Sequence, residues 1–244
     1  MAAPPASTVL QHPERIHPAL WRASQLAPAR RAVVSTGHEA LDRELPGGGW
    51  PLGTLIELLS ERPGIGELLL LRPALAALDP RRLILLIDPP HPPSMQCWAN
   101  WGLQPRRLAW LRAGTAPERL WAAEQAVRHD VCAALLCWVG PASGQALLRL
   151  QRLARSGHSL LILLRPRSAA RQASPAALRL SLEPSPQGLS LGILKRRGPA
   201  LPEAIVIHLY SDALDLPAPA PARAWRPARA GRPLAALYAA SGHS

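Results

Sequence analysis

The residues whose types and spacing could support chemistry lie in one stretch, between Thr54 and Leu71. Thr54 to Leu59 is a β-branched and aliphatic run, a pattern typical of a buried strand. A tight turn with two glycines follows it, and an apolar helical segment begins after the turn. Strand, glycine-rich turn and helix form the frame of a phosphate-binding loop, in which backbone N–H groups and the helix N-terminus hold an anion. The candidate residues of this loop are Pro63, Gly64, Gly66, Glu67 and Leu68.

The side chains that would make such a loop catalytic are missing from the sequence. A working loop places Lys and then Ser or Thr after its last glycine, whereas here Glu67 and Leu68 follow Gly66. A carboxylate suits the positive end of a helix, but at this position it takes the place of a triphosphate and repels it. The predicted strand 133–139 also lacks the terminal aspartate that orders Mg²⁺ in such enzymes. The sequence therefore predicts a degenerate nucleotide site with no catalytic residue, no metal and no cofactor.

The elements around this stretch alternate between short aliphatic runs and helical segments, which predicts an α/β fold with a mostly parallel central sheet flanked by helices. From Leu178 to Leu209 the apolar residues instead recur at every second position, which predicts antiparallel strands at the C-terminal side. The predicted strands of the first part are 54–59, 83–87, 108–111, 133–139 and 159–164, and the predicted helices are 67–78, 117–128 and 143–155.

Two local signals concern helix ends. Thr36, with Glu39 three residues later, predicts a capping box for a helix from His38 to Leu45. Pro73 lies inside the segment that begins at Glu67, so it is expected to kink that helix or to end its first part.

Length and composition favour one α/β domain with a full core and some tails. The chain has 244 residues, of which 48% are hydrophobic. Its longest apolar runs are far too short to span a bilayer, and its first residues lack the apolar region of a secretory signal. The three cysteines, Cys97, Cys132 and Cys137, have no metal-ligand spacing. These features predict a cytoplasmic protein with reduced core thiols and no membrane part.

The net charge of +12 is concentrated toward the two ends of the chain. Residues 1–35 carry four arginines and one glutamate, and residues 217–244 carry four arginines and no acid. Such arms contact an acidic partner or nucleic acid, or they merely solubilise the protein, and the sequence favours neither. The predicted regions are an N-terminal arm with a short helix at 1–32, a core domain at 33–212, and a flexible Pro/Ala/Arg-rich tail at 213–244.

The order of these elements resembles the RecA-like ATPase core over roughly residues 33–210. Within that superfamily, the strings LWRASQL, LPGGGWPLGTLIELL and PGIGELLLLRPAL are similar to the SOS-induced ImuA/SulA group, and the length and basic C-terminus favour the ImuA branch. The residues that match the segment leading into the RecA loop are Ser35-Thr36-Gly37, Leu41-Asp42, Gly47-Gly48, Gly53 and Glu57.

The resemblance implies an adaptor role in translesion DNA synthesis, without ATP hydrolysis. The implied partners are an ImuB-like relative of the Y-family polymerases, an error-prone C-family DNA polymerase and RecA. Two alternatives stay open: a SulA-type cell division inhibitor acting on FtsZ, and an active ATPase with an unorthodox loop.

Three groups of basic residues are candidates for contact with DNA or a partner. The first lies in the loop after the LLILL strand, which binds DNA in RecA, and the second lies where RecA has lysines that reach a neighbouring subunit's nucleotide. A solvated loop and a charged strand end explain these two groups about as well. The third is in the tail. The candidates are Arg165, Arg167, Arg171, Lys195, Arg196, Arg197, Arg223, Arg226, Arg229 and Arg232.

Overall fold

An eight-stranded sheet with helices on both faces dominates the structure, a computed structural model that describes residues 32–198 and 203–209. A separate antiparallel pair precedes it, made of β1 (Val33–Val34) and β2 (Trp50–Pro51). The N-terminal arm and the C-terminal tail predicted from the sequence lie outside the described residues, apart from Ala32 at the end of the arm. The strands of the main sheet are β3 (Thr54–Ser60), β4 (Leu83–Ile87), β5 (Leu108–Leu111), β6 (Cys132–Trp138), β7 (Leu160–Pro166), β8 (Leu178–Ser185), β9 (Gly188–Lys195) and β10 (Ile205–His208).

The strand order in this sheet is β10-β9-β8-β3-β7-β6-β4-β5. All pairs from β8 to β5 are parallel, and β9 is antiparallel to both β8 and β10. The prediction of a mostly parallel sheet with antiparallel strands at the C-terminal side is therefore confirmed. β3, which leads into the candidate loop, lies between β8 and β7 near the middle of the sheet.

The helices divide between the two faces of the sheet. Leucines of the first two helices and Trp98 of the third belong to one core cluster, and the apolar sides of the last two helices belong to the other. Short 3₁₀ turns at Pro105–Arg107 and Arg167–Arg171 complete the described elements. The helices are α1 (Glu39–Glu44), α2 (Glu67–Ala77), α3 (Met95–Asn100), α4 (Ala116–Arg128) and α5 (Gly144–Ala154).

The central strands are apolar on both sides because helices cover both faces of a parallel sheet. Every residue of β6 is buried, and six of the seven residues of β3 are buried. α4 begins with a complete capping box, in which Thr115 accepts from the Glu118 N–H and the Glu118 carboxylate accepts from the Thr115 N–H. The alternation of strands and helices thus places the candidate loop at the carboxyl edge of the sheet, the side where the parallel strands end.

The capping prediction at Thr36 is wrong, and one of the two outcomes expected at Pro73, an early end of the helix, does not occur. The helix after Thr36 begins only at Glu39, and the Thr36 hydroxyl accepts a hydrogen bond from the nearby His38 N–H instead of capping the helix. The Asp42 carboxylate folds back onto the Thr36 N–H at 2.8 Å, so it replaces the expected box. Pro73 does not end α2, which continues to Ala77.

Within the part of the chain that the structure describes, no helix is long and apolar enough to cross a membrane.

Candidate functional site

The turn between β3 and α2, predicted to resemble an anion-binding loop, is shaped by two glycines. Gly64 and Gly66 both adopt positive φ angles, of 82° and 115°, which only glycine adopts without strain. The Gly64 N–H donates a hydrogen bond to Oε1 of Glu67 at 2.7 Å. Glu67 is the first residue of α2 and is 4% exposed. Its carboxylate therefore binds the turn as a bound phosphate would, and it stays at the positive end of the helix.

The outer side of the turn is covered by aliphatic side chains. A Cβ added to Gly66 would lie 2.6 Å from Cδ1 of Leu209 and 3.8 Å from Leu189. A Cβ added to Gly64 would meet nothing within 4 Å. One half of the turn is therefore open to solvent, while the half that opens the helix is closed by Leu209 from outside and by Glu67 from inside.

The ends of the neighbouring strands do not supply the missing carboxylate that would order Mg²⁺. β6 ends at Trp138 and is followed by Val139 and Gly140, so no carboxylate follows it. Asp88 follows β4 with a φ of 52°, and it forms an ion pair with Arg119 of α4. That pair holds α4 against the end of β4, so the Asp88 carboxylate already has a structural partner.

A buried ion cluster lies next to the turn on the face covered by α4 and α5. Glu57, in the middle of β3, accepts from Arg165 Nη1 at 2.7 Å and from Arg179 Nε at 2.6 Å. The side chains of Glu57 and Arg165 are fully buried, and that of Arg179 is 8% exposed. Arg165 also donates to the Gln172 side chain, and Arg179 donates to the carbonyls of Gln172 and Ala169. The cluster fastens the 3₁₀ turn after β7 to three strands.

The structure changes the interpretation of the basic loop after β7. The Arg165 side chain is fully buried and its guanidinium is bonded to Glu57, so it offers no exposed charge to DNA or a partner in this structure. Arg167 forms an ion pair with Glu183, and Arg171 is exposed. Of the three candidates in this loop, Arg171 offers the most accessible charge to a partner.

The second basic group lies at the amino edge of the sheet, the side where the parallel strands begin. Lys195 ends β9 and donates to the Ser174 carbonyl, and Arg196 forms an ion pair with Glu44. Arg197 is exposed. These three residues therefore lie far from the turn at Gly66. The tail arginines at 223, 226, 229 and 232 lie outside the described residues.

The thiols are poorly suited to chemistry. Burial raises the pKa of Cys132 to about 11 and the pKa of Cys137 to about 12, so both remain protonated at neutral pH. Burial also raises the pKa of Cys97, which is partly exposed. Across residues 32–198 and 203–209, no group of His, Cys, Asp or Glu side chains is arranged to hold a metal ion.

Sequence reasoning missed the partners of Glu57. A signal was available, because Glu57 is the one charged residue in the apolar run of β3, and a buried charge requires a partner. The pattern does not say which arginine supplies it, because Arg165 and Arg179 lie more than a hundred residues away along the chain.

The chain is thus a mixed α/β protein in which Glu67 and Leu209 cover the glycine turn between β3 and α2. No family model matches the chain. Over 99 residues it is 34% identical to the cell division inhibitor SulA of Edwardsiella piscicida, and the match covers 40% of this chain. The chain spans 59% of the length of that relative. The expected similarity to the ImuA/SulA group is thus supported for SulA, in this partial form, and the similarity to ImuA stays a prediction.

Proposed function

We propose that this chain is a non-catalytic adaptor with a RecA-like, P-loop-type fold that acts in SOS-induced translesion DNA synthesis and mutagenesis. The observation that carries the proposal is the closed anion site. Glu67 supplies the negative charge that a nucleotide would bring, and Leu209 covers the turn at Gly66. A scaffold that has lost its nucleotide site but keeps a full core is suited to presenting surfaces to other proteins.

Two further observations support the proposed RecA-like fold and the proposed role in the SOS response. The parallel strands on both sides of β3, together with the turn and α2, have the arrangement expected of a RecA-like core. The partial similarity to SulA supports a role in the SOS response, since SulA belongs to the group that the sequence resembles. The proposed partners are an ImuB-like polymerase relative, an error-prone C-family DNA polymerase and RecA. The proposed location is the cytoplasm, at the nucleoid during DNA damage.

Calorimetric titration of the full chain with Mg-ATP tests the pseudo-ATPase part of this proposal. We expect no saturable binding up to millimolar nucleotide, because the Glu67 carboxylate repels a triphosphate and the loop has no lysine to bind one. The Gly66→Trp variant is the control, since a bulky side chain at this position cannot coexist with a bound phosphate. Micromolar affinity that disappears in this variant would establish an active nucleotide site and overturn the proposal.

A SulA-type inhibitor of FtsZ polymerisation is the second candidate, favoured by the 99-residue similarity. Overproduction in undamaged cells distinguishes the two functions. An adaptor leaves cell length unchanged and is recovered with the ImuB-like partner in a pull-down, whereas a division inhibitor produces filamentous cells. Filamentation together with loss of the pull-down would replace the adaptor by the inhibitor.

A further inference from the structure

A groove of about 520 Å³ opens at the amino edge of the parallel strands, opposite the closed turn. Thr54 and Leu178, near the starts of β3 and β8, line it together with Lys195 at the end of β9. Its volume falls in the range typical of binding pockets. We call it the amino-edge groove.

The floor of the amino-edge groove is aliphatic. Its apolar lining comes from β1, β2, the loop after α1 and the segment that leads into β8, and none of the described residues that line it is aromatic. Proline nitrogens carry no hydrogen, so much of this floor offers apolar contact without hydrogen-bond donors. The main floor residues are Val33, Pro46, Pro51, Pro175, Ala177 and Leu178.

Among the residues that the structure describes, the rim of the groove carries four cations and no acid. Arg196 is compensated by Glu44, at 3.0 Å. Lys195 donates to the Ser174 carbonyl at 2.7 Å, which satisfies a donor but leaves its positive charge uncompensated. Among the described residues, neither Arg155 nor Arg197 forms an ion pair. An apolar floor below uncompensated cations therefore makes this site complementary to an apolar ligand that carries carboxylates.

We propose that the amino-edge groove binds an acidic, aliphatic or proline-containing peptide segment of a partner protein. Carboxylates of the peptide pair with Arg155, Arg197 and Lys195, and its aliphatic side chains lie on the floor beside Leu178. A single-stranded nucleic acid fits less well, because the described part of the lining has no aromatic ring on which a base could stack. The inference rests on the adaptor function proposed above and gives that function a binding surface.

Fluorescence anisotropy with the full chain tests the groove. The probe is a fluorescein-labelled Asp-Leu-Asp-Leu-Pro-Glu peptide, and its Asn-Leu-Asn-Leu-Pro-Gln counterpart is the neutral control. The double variant Arg155→Glu, Arg197→Glu should weaken binding by about tenfold or more, because it places carboxylates against carboxylates. Arg128→Glu is the matched control, since Arg128 is an exposed arginine at the end of α4 that does not line the groove. It should change the affinity by less than about twofold.

A substitution in the floor tests the groove without changing its charge. Ala177→Leu fills the groove and should also weaken binding of the acidic peptide. Thermal melting of every variant, followed by circular dichroism, checks that the fold is intact. Equal weakening by Arg128→Glu, undiminished binding to the double variant, or stronger competition by a thymidine dodecamer than by unlabelled peptide would overturn the inference. If the peptide fails to bind while the ImuB-like partner is still recovered, the groove is wrong and the adaptor stands. Micromolar Mg-ATP binding would remove the adaptor whatever the peptide does.

Discussion

At the scale of single residues, the buried Glu57 carboxylate is the centre of an ion cluster in the core. It lies directly opposite Arg179 on β8 and contacts Arg165 on β7, so one carboxylate joins three neighbouring strands. Removing a carboxylate from such a cluster leaves two guanidinium groups close together in the core, where an unpaired charge is costly.

We expect Glu57→Ala to lower the free energy of unfolding by about 3–5 kcal/mol, because it leaves Arg165 and Arg179 buried without their counter-ion. Urea denaturation followed by circular dichroism measures this. The control is Glu39→Ala, which removes an exposed ion pair with Arg43 and should cost less than about 1 kcal/mol. Similar losses in the two variants would show that the cluster contributes no more than a surface pair.

The residue scale also shows what a sequence can and cannot predict. The sequence alone shows that Glu67 and Leu68 follow Gly66 where a phosphate-binding loop would carry Lys and then Ser or Thr, because the motif defines both positions relative to that glycine. The burial of Arg165 could not be predicted, because a basic residue near the end of a strand is usually exposed to solvent. Its burial depends on Glu57, which is remote in sequence and adjacent only in the fold.

At the scale of elements, α2 runs past Pro73, and this proline packs against the segment before α1. Gly37 lies against the proline ring, and any Cβ at Gly37 would collide with that ring. Gly37 also has a φ of 78°, so the segment before α1 turns sharply at this contact. The tight fit between this segment and α2 helps to position the helix that carries Glu67.

We expect Gly37→Ala to destabilise the protein more than Gly64→Ala. Both substitutions carry the left-handed backbone penalty of about 1–2 kcal/mol, but only the Cβ at position 37 meets another residue. Thermal melting of the two variants measures the difference, which isolates the contact with Pro73 from backbone strain. Equal melting temperatures would mean that the segment moves away from α2 at no cost.

Most elements could be predicted to within a residue or two, because continuous aliphatic runs and capping residues mark them locally. Ser94 and Ser143 each accept an N-cap hydrogen bond at the start of their helices. Thr36 failed because its hydroxyl has a competing local partner, the His38 N–H. A capping pattern in the sequence shows which bonds are available but not which of two neighbours takes them.

At the scale of the whole molecule, the sheet has two edges of opposite character. The carboxyl edge is closed at the turn by Glu67 and Leu209, and the amino edge holds a groove with cations on its rim. Strand order could not be predicted, because alternation of strands and helices does not determine which strands become neighbours. The amino-edge groove therefore could not be predicted either, since Arg155 and Arg197 meet only through that order.

Hydrogen exchange should reflect this sheet order. We expect the backbone amides of β3 and β7, which are paired on both sides, to exchange most slowly, and those of the edge strands β5 and β10 to exchange fastest. Mass spectrometry of peptides from each strand measures the order. Faster exchange in β3 than in β5 would be incompatible with a central position for β3.

The 3₁₀ turn at Arg167–Arg171 has a consequence for recognition. Arg179 donates to the Ala169 carbonyl at 2.7 Å, and Arg165 donates to the Gln172 side chain, so the middle of the turn and the residue after its end are tied to the core. A partner that docks on Arg171 therefore meets a surface whose conformational entropy was already lost during folding. Binding there requires little ordering of the loop, so complexes at this turn should form as rigid docking rather than by loop closure.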